Sequence, residues 1–165
     1  MNNWTTTYLI NEKSVAPNAA LYALSLYITG YTIMRLLLGT ALRAVATNKM
    51  MFASIVLIVS GTIVLALAGS YTVAVTGLVI LGAGLSGGFP LMLGVVAGRF
   101  AELSGTAFSF VLVIALIGNM LVNYLLGLIA ERTGIHHLIT VAFAEAAVML
   151  VLAITIFTRN QAEPT

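Results

Sequence analysis

Apolar residues run in long blocks, and the few charged residues punctuate them. The block after Lys13 predicts a helix over about 17–45, interrupted only by Arg35 and Arg43. Pro17 stands in its first turn, where a missing N–H costs nothing. A second helix is expected over about 50–69, stopping at Gly69-Ser70. A third covers about 72–98, with no charge before Arg99; a fourth covers about 104–130. A fifth covers about 137–158 and holds one charge, Glu145. Each block reaches the ~20 residues that cross a bilayer. None alternates with period two, which excludes the strands of a membrane barrel. The pattern is that of an all-α integral membrane protein with five transmembrane helices over 17–158. Residues 1–16 lie on the non-cytoplasmic side before it, and 159–165 form a cytoplasmic tail.

Composition agrees. The chain of 165 residues is 61% hydrophobic and 7% charged, with mean hydropathy +1.09. Soluble domains carry roughly 25% charged residues. A soluble enzyme, a disordered chain and a nucleic-acid binder are therefore excluded, and the first partner is the lipid bilayer. The net charge of +2 rests on few residues and points to no acidic partner. Cysteine is absent, so there is no disulfide frame and no thiolate metal site. Arg43, Lys49, Arg99 and Arg159 fall on one side of the membrane, Lys13 and Arg132 on the other. The positive-inside rule makes the first side cytoplasmic. The expected topology is a multi-pass protein of the cell (inner) membrane, N-terminus outside and C-terminus inside. Residues 1–16 contain no signal peptide. Carrying Lys13 outward is awkward for a free first helix and ordinary where another helix precedes it.

The chain repeats itself. Gly30, Arg35, Leu37, Leu38 and Gly39 match Gly118, Asn123, Leu125, Leu126 and Gly127 at a constant offset of 88 residues. Arg43 and Glu131 each follow the second glycine by four positions. Three helices separate the matched positions, so the two copies cross the membrane in opposite directions. Such inverted repeats are common in secondary transporters. The partner of the third helix would fall at about −16 to 10, leaving Trp4 to Ile10 as the end of a preceding helix. The expected unit is three plus three helices, with the first one cut short.

Several polar or small residues inside the spans are candidates for function, each beside a packing alternative. Gly84 and Gly88, and Gly94 and Gly98, form small-residue rows that let helices approach closely. Pro90 frees the Ser86 carbonyl and permits a kink. The segment is either a flexible gating helix or a tightly packed one. Arg35 lies eight residues from Arg43, roughly 12 Å along a helix, and is expected within the hydrocarbon. It serves in gating or interhelix contact, or it snorkels to the headgroups. Glu145 is a possible coupling residue that exchanges a proton, or a neutral carboxyl bonded to a neighbouring helix. Asn119 and Asn123 share a helix face, with Tyr124 beside it; Tyr27 and Tyr31 are paired likewise. Amides and aromatic rings suit a sugar-binding cavity and equally a helix interface. His136 and His137 have no metal-ligand spacing. No catalytic set, metal site or cofactor motif is present, so an enzyme is not expected.

The order of motifs resembles the C-terminal half of the major facilitator superfamily. Gly82 to Gly98, followed by Arg99-Phe100-Ala101-Glu102-Leu103-Ser104-Gly105, is similar to helix ten and its loop in that family. Gly118 to Gly134 resembles helix eleven. Met34-Arg35-Leu36-Leu37-Leu38-Gly39 resembles the Gly-Arg-x-x-Gly pattern of helix eight, with Met34 in place of glycine. Asn3-Trp4 to Tyr8-Leu9 resembles the outer end of helix seven in sugar-type members. The resemblance implies helices eight to twelve of a truncated transporter, within a six-helix bundle of inverted three-helix repeats. It implies Ser86, Phe89, Met92, Asn119 and Asn123 as cavity residues and a small polar solute as cargo. It further implies transport, by ion-coupled (proton) symport of a sugar, with the absent N-terminal half as partner. The alternative is a small oligomeric membrane protein, a scaffold or pore, that self-associates through its glycine rows.

Overall fold

The computed structural model describes residues 2–42 and 44–162, with side chains described for 4–42 and 44–156. The chain forms seven α-helices among these residues: α1 (Asn2–Lys13), α2 (Pro17–Gly39), α3 (Thr47–Ala66), α4 (Tyr71–Leu85), α5 (Gly88–Arg99), α6 (Ser104–Thr133) and α7 (Leu138–Ala162). Single 3-10 turns at Ala101–Leu103 and Ile135–His137 lead into α6 and α7. Five segments are long and apolar enough to cross a membrane: α2, α3, α4 with α5, α6 and α7. The helix α1 has 12 residues, roughly 18 Å, and is too short to cross alone.

Helix ends differ from the sequence expectation for local reasons. α2 stops at Gly39, not near 45, because Thr40 leaves helical geometry (φ −119°, ψ −88°). The amides of Thr40 and Leu42 both close back on the Leu37 carbonyl. Arg43, used in the charge count, lies outside the described residues, as do the side chain of Arg159 and the end of the C-terminal tail. α3 ends at Ala66, three residues before Gly69. Lys13 Nζ there donates to the carbonyls of Ala66 (3.2 Å) and Ala68 (2.9 Å), satisfying acceptors that the ending helix leaves open. Ser70 caps α4 by accepting from the Val73 amide. α6 runs on to Thr133 and ends at Gly134, whose φ of 94° suits glycine. The expected third span is broken at Ser86–Gly87, four residues before Pro90, where the proline leaves the Ser86 carbonyl without a helical donor.

At the 88-residue offset the starts of α1, α2 and α3 fall within three residues of the starts of α5, α6 and α7, while α6 and α7 run on six and eight residues beyond the ends of α2 and α3. The spans between α2 and α6 number three, counting α2 itself, so the copies run in opposite directions across a membrane.

Close backbone approach organises the core. A Cβ at Gly61 would stand 2.5 Å from the Leu81 amide nitrogen of α4. One at Gly77 would stand 2.7 Å from the Leu65 nitrogen, and one at Gly84 2.7 Å from the Ile58 nitrogen. Gly82 and Gly30 make the equivalent approach between α4 and α2, against Tyr27 and Val79. α4 is thereby clamped between α2 and α3. Tyr27, Leu65 and Leu78 are fully buried, and Leu9 of α1 joins the same core. Apolar side chains gain little from leaving lipid, so this contact density holds the helices together. By contrast α6 is largely bare: Phe110, Ile114 and Met120 are 66–68% exposed.

Candidate functional site

Polar side chains within the spans gather where α1 meets α6. Trp4 Nε1 donates to Asn123 Oδ1 at 3.1 Å. Asn123 Nδ2 donates in turn to the Asn119 backbone carbonyl (2.8 Å) and to Asn119 Oδ1 (3.1 Å). The i, i+4 spacing puts both amides on one face of α6. Gly127, one further turn along, admits the indole ring: a Cβ there would meet its edge at 3.6 Å. An indole, two amides and an open helix face thus stand together. They offer a flat apolar surface flanked by donors and acceptors, the usual makings of a site for a small polar solute. Sequence reasoning paired the asparagines and left out Trp4 as a member. The available signal was its place as the sole tryptophan, in the polar segment Asn2-Asn3-Trp4-Thr5-Thr6-Thr7.

The other expected cavity residues separate. Ser86 is fully buried, and its hydroxyl donates to the Ala83 carbonyl at 2.7 Å. It is sealed in the core at the helix break rather than facing the cavity that holds Phe89 and Met92. Phe89 and Met92 do line a cavity, of about 360 Å³, with Gly88, Met51, Met149 and Leu152. That cavity lies among α3, α5 and α7, away from the asparagines of α6. Tyr124 is exposed and outside the amide pair's bonding.

Arg35 donates to the Tyr31 hydroxyl at 2.6 Å, with its guanidinium 5.7 Å from the same ring's centroid. Both residues belong to α2, so this contact joins no two helices. Because α2 ends at Gly39, Arg35 stands about 6 Å from the helix end. Tyr27, two turns before it, is packed under Gly82 and serves the core. The glycine rows also divide. Gly84 is in backbone contact with α3; Gly88 meets only the Met149 methyl; Gly94 and Gly98 face open space. Glu145 lines an apolar groove of about 470 Å³ between α6 and α7. A second large cavity, about 570 Å³, opens where α1, α2, α3 and α4 end, around Glu12, Lys13, Ser70 and Tyr71. The rings of His136 and His137 stack at 4.0 Å. Among the described residues no group of three His, Cys, Asp or Glu comes together to hold a metal.

The sequence profile of the Major Facilitator Superfamily matches residues 2–165. The chain belongs to the major facilitator superfamily. It is a multi-pass membrane protein of a family whose work is transmembrane transport, in keeping with five spans and a polar cluster between α1 and α6. Superfamily members are generally not enzymes. No curated protein and no solved structure matches the chain.

Proposed function

We propose that this chain provides the C-terminal helices, eight to twelve with the end of seven, of a secondary active transporter for a small polar solute of the sugar type. The Trp4–Asn123–Asn119 array carries this reading. A ring solute stacks on the indole face while its hydroxyls exchange bonds with the two amides. Glu145, with no other acidic side chain in the middle of a span among the described residues, is the proton-coupling candidate. The face of α5 bearing Gly94 and Gly98, open at both glycines, receives the other half of the transporter. The orientation follows the charge count: the α1–α2, α3–α4 and α6–α7 connections are outside, and the protein resides in the cell membrane.

Uptake into proteoliposomes tests the reading. Labelled hexoses and polyols should enter only under an imposed proton gradient, and Asn123→Leu should lower uptake at least tenfold. Gradient-independent conductance, or a discrete homo-oligomer with pore activity, would replace the transporter reading with the self-associating one.

A further inference from the structure

Methionines gather away from the polar cluster. Met51 of α3, Met92 of α5 and Met149 of α7 line one cavity of about 360 Å³. Three helices far apart in sequence thus bring together three of the chain's seven methionines. Met51 is 1% exposed, and Met92 and Met149 pack against the buried cluster that it forms with Ile55 and Ala153. The break at Ser86–Gly87 begins α5 here, and the i, i+3 spacing puts Phe89 and Met92 on one face of it. Gly88 has no side chain, so the Met149 thioether lies against α5: a Cβ there would meet its methyl at 2.9 Å and its sulfur at 3.8 Å. Among the described residues the rest of the lining is aliphatic or aromatic. The three sulfurs are therefore the only side-chain donor atoms that the described lining offers to a ligand.

That donor set dictates what the cavity can hold. Calcium and magnesium require oxygen ligands. Zinc takes thiolate, imidazole or carboxylate. Each would also bring two charges into hydrocarbon with no anionic ligand to offset them. Neutral, polarisable thioethers select Cu(I), a soft ion with a single charge. The Phe89 ring in the same wall offers a face to a cation. We propose that Met51, Met92 and Met149 form a binding site for a soft monovalent cation of the Cu(I) class. Methionine has three rotatable bonds, so the three thioethers can turn inward onto one ion without moving the helices. Met51 is the fifth residue of α3, about 6 Å from its start, so the ion enters from the end of the bundle where α2 connects to α3. The site stands apart from the polar-solute reading and is measured by binding alone.

The probe is Ag(I), which matches Cu(I) in charge and softness and needs no reductant. Equilibrium dialysis in chloride-free buffer uses the full chain in nanodiscs, with empty nanodiscs as blank. The chain has no cysteine, so no thiolate competes for the ion. Ag(I) should bind saturably, about one per chain, and a tenfold excess of Zn(II) should not displace it. Met92→Leu and Met149→Leu, which nearly conserve volume, should each weaken binding at least tenfold. Met120→Leu, on the exposed face of α6, should leave it unchanged, as should His136→Ala combined with His137→Ala. Silver-edge X-ray absorption of the unaltered chain should show sulfur neighbours; it carries the test if a variant loses wild-type helicity. Binding no greater than the blank, affinity unchanged in both Met92→Leu and Met149→Leu, loss in the histidine variant, or nitrogen and oxygen neighbours alone would overturn the proposal and leave the methionines as core packing.

Discussion

Replacing Gly61 by alanine tests whether backbone contact between α3 and α4 holds the bundle. The new methyl would sit 2.5 Å from the Leu81 nitrogen, 2.8 Å from its Cα and 2.9 Å from the Gly77 oxygen. All three are main-chain atoms of α4, so no rotamer change relieves them. Restoring ordinary contact at 3.4 Å parts the helices by about 0.9 Å, enough to forfeit a quarter to a half of the dispersion energy along the seam. Overpacking of this kind costs ~1–3 kcal/mol. Alanine regains about 1 kcal/mol of helix propensity over glycine. The net expectation is a loss of about 0–2 kcal/mol, centred near 1. Gly94→Ala is the internal control: nothing lies within 4 Å of its Cβ position, so only the propensity gain remains. The two variants should differ by about 2 kcal/mol with opposite signs. SDS-driven unfolding in mixed micelles, followed by circular dichroism, reads the difference. Gly61→Ala at least as stable as Gly94→Ala would refute the reasoning.

Other consequences are as direct. Lys13→Met removes a charged donor from the Ala66 and Ala68 carbonyls and should lower stability by about 1–2 kcal/mol in the same assay, at half-buried exposure. Trp4→Phe keeps a ring and loses the bond to Asn123, costing about 0.5–1.5 kcal/mol. Because Trp4 is the only tryptophan, Asn123→Leu should shift the intrinsic emission while keeping helicity. Gly134→Ala forces a side chain into φ 94°, ψ 164°, with its Cβ 3.1 Å from His136 Nδ1, and should cost ~1–3 kcal/mol. An unchanged midpoint would remove that turn from the account.

Much of the architecture was legible because charge spacing in a membrane protein marks the turns. The five spans and the kink before Pro90 came from such linear signals, and the structure bears them out. Exact ends were harder to read. The Lys13 bonds at the end of α3 connect residues over fifty positions apart, which no local pattern displays. The early end of α2 at Gly39 was not legible, because the two turn bonds that Leu37 accepts there leave no mark in the pattern. Site membership was the least legible. Ser86 and Phe89 are three residues apart, yet the helix break sends one into the core and the other to a cavity. Trp4 joins Asn123 across 119 residues, a contact set by helix packing rather than by spacing.

Sided cysteine labelling tests the inverted arrangement most directly, because the chain has no cysteine of its own. Single cysteines at Ser14, Ser70 and His136 occupy one set of helix connections, and those at Ala44 and Glu102 occupy the opposite set. In intact cells a membrane-impermeant maleimide should modify the first three and spare the last two until the membrane is opened. Labelling of Ser14→Cys and Glu102→Cys from the same side would contradict five spans in this order, and with them the transporter fold.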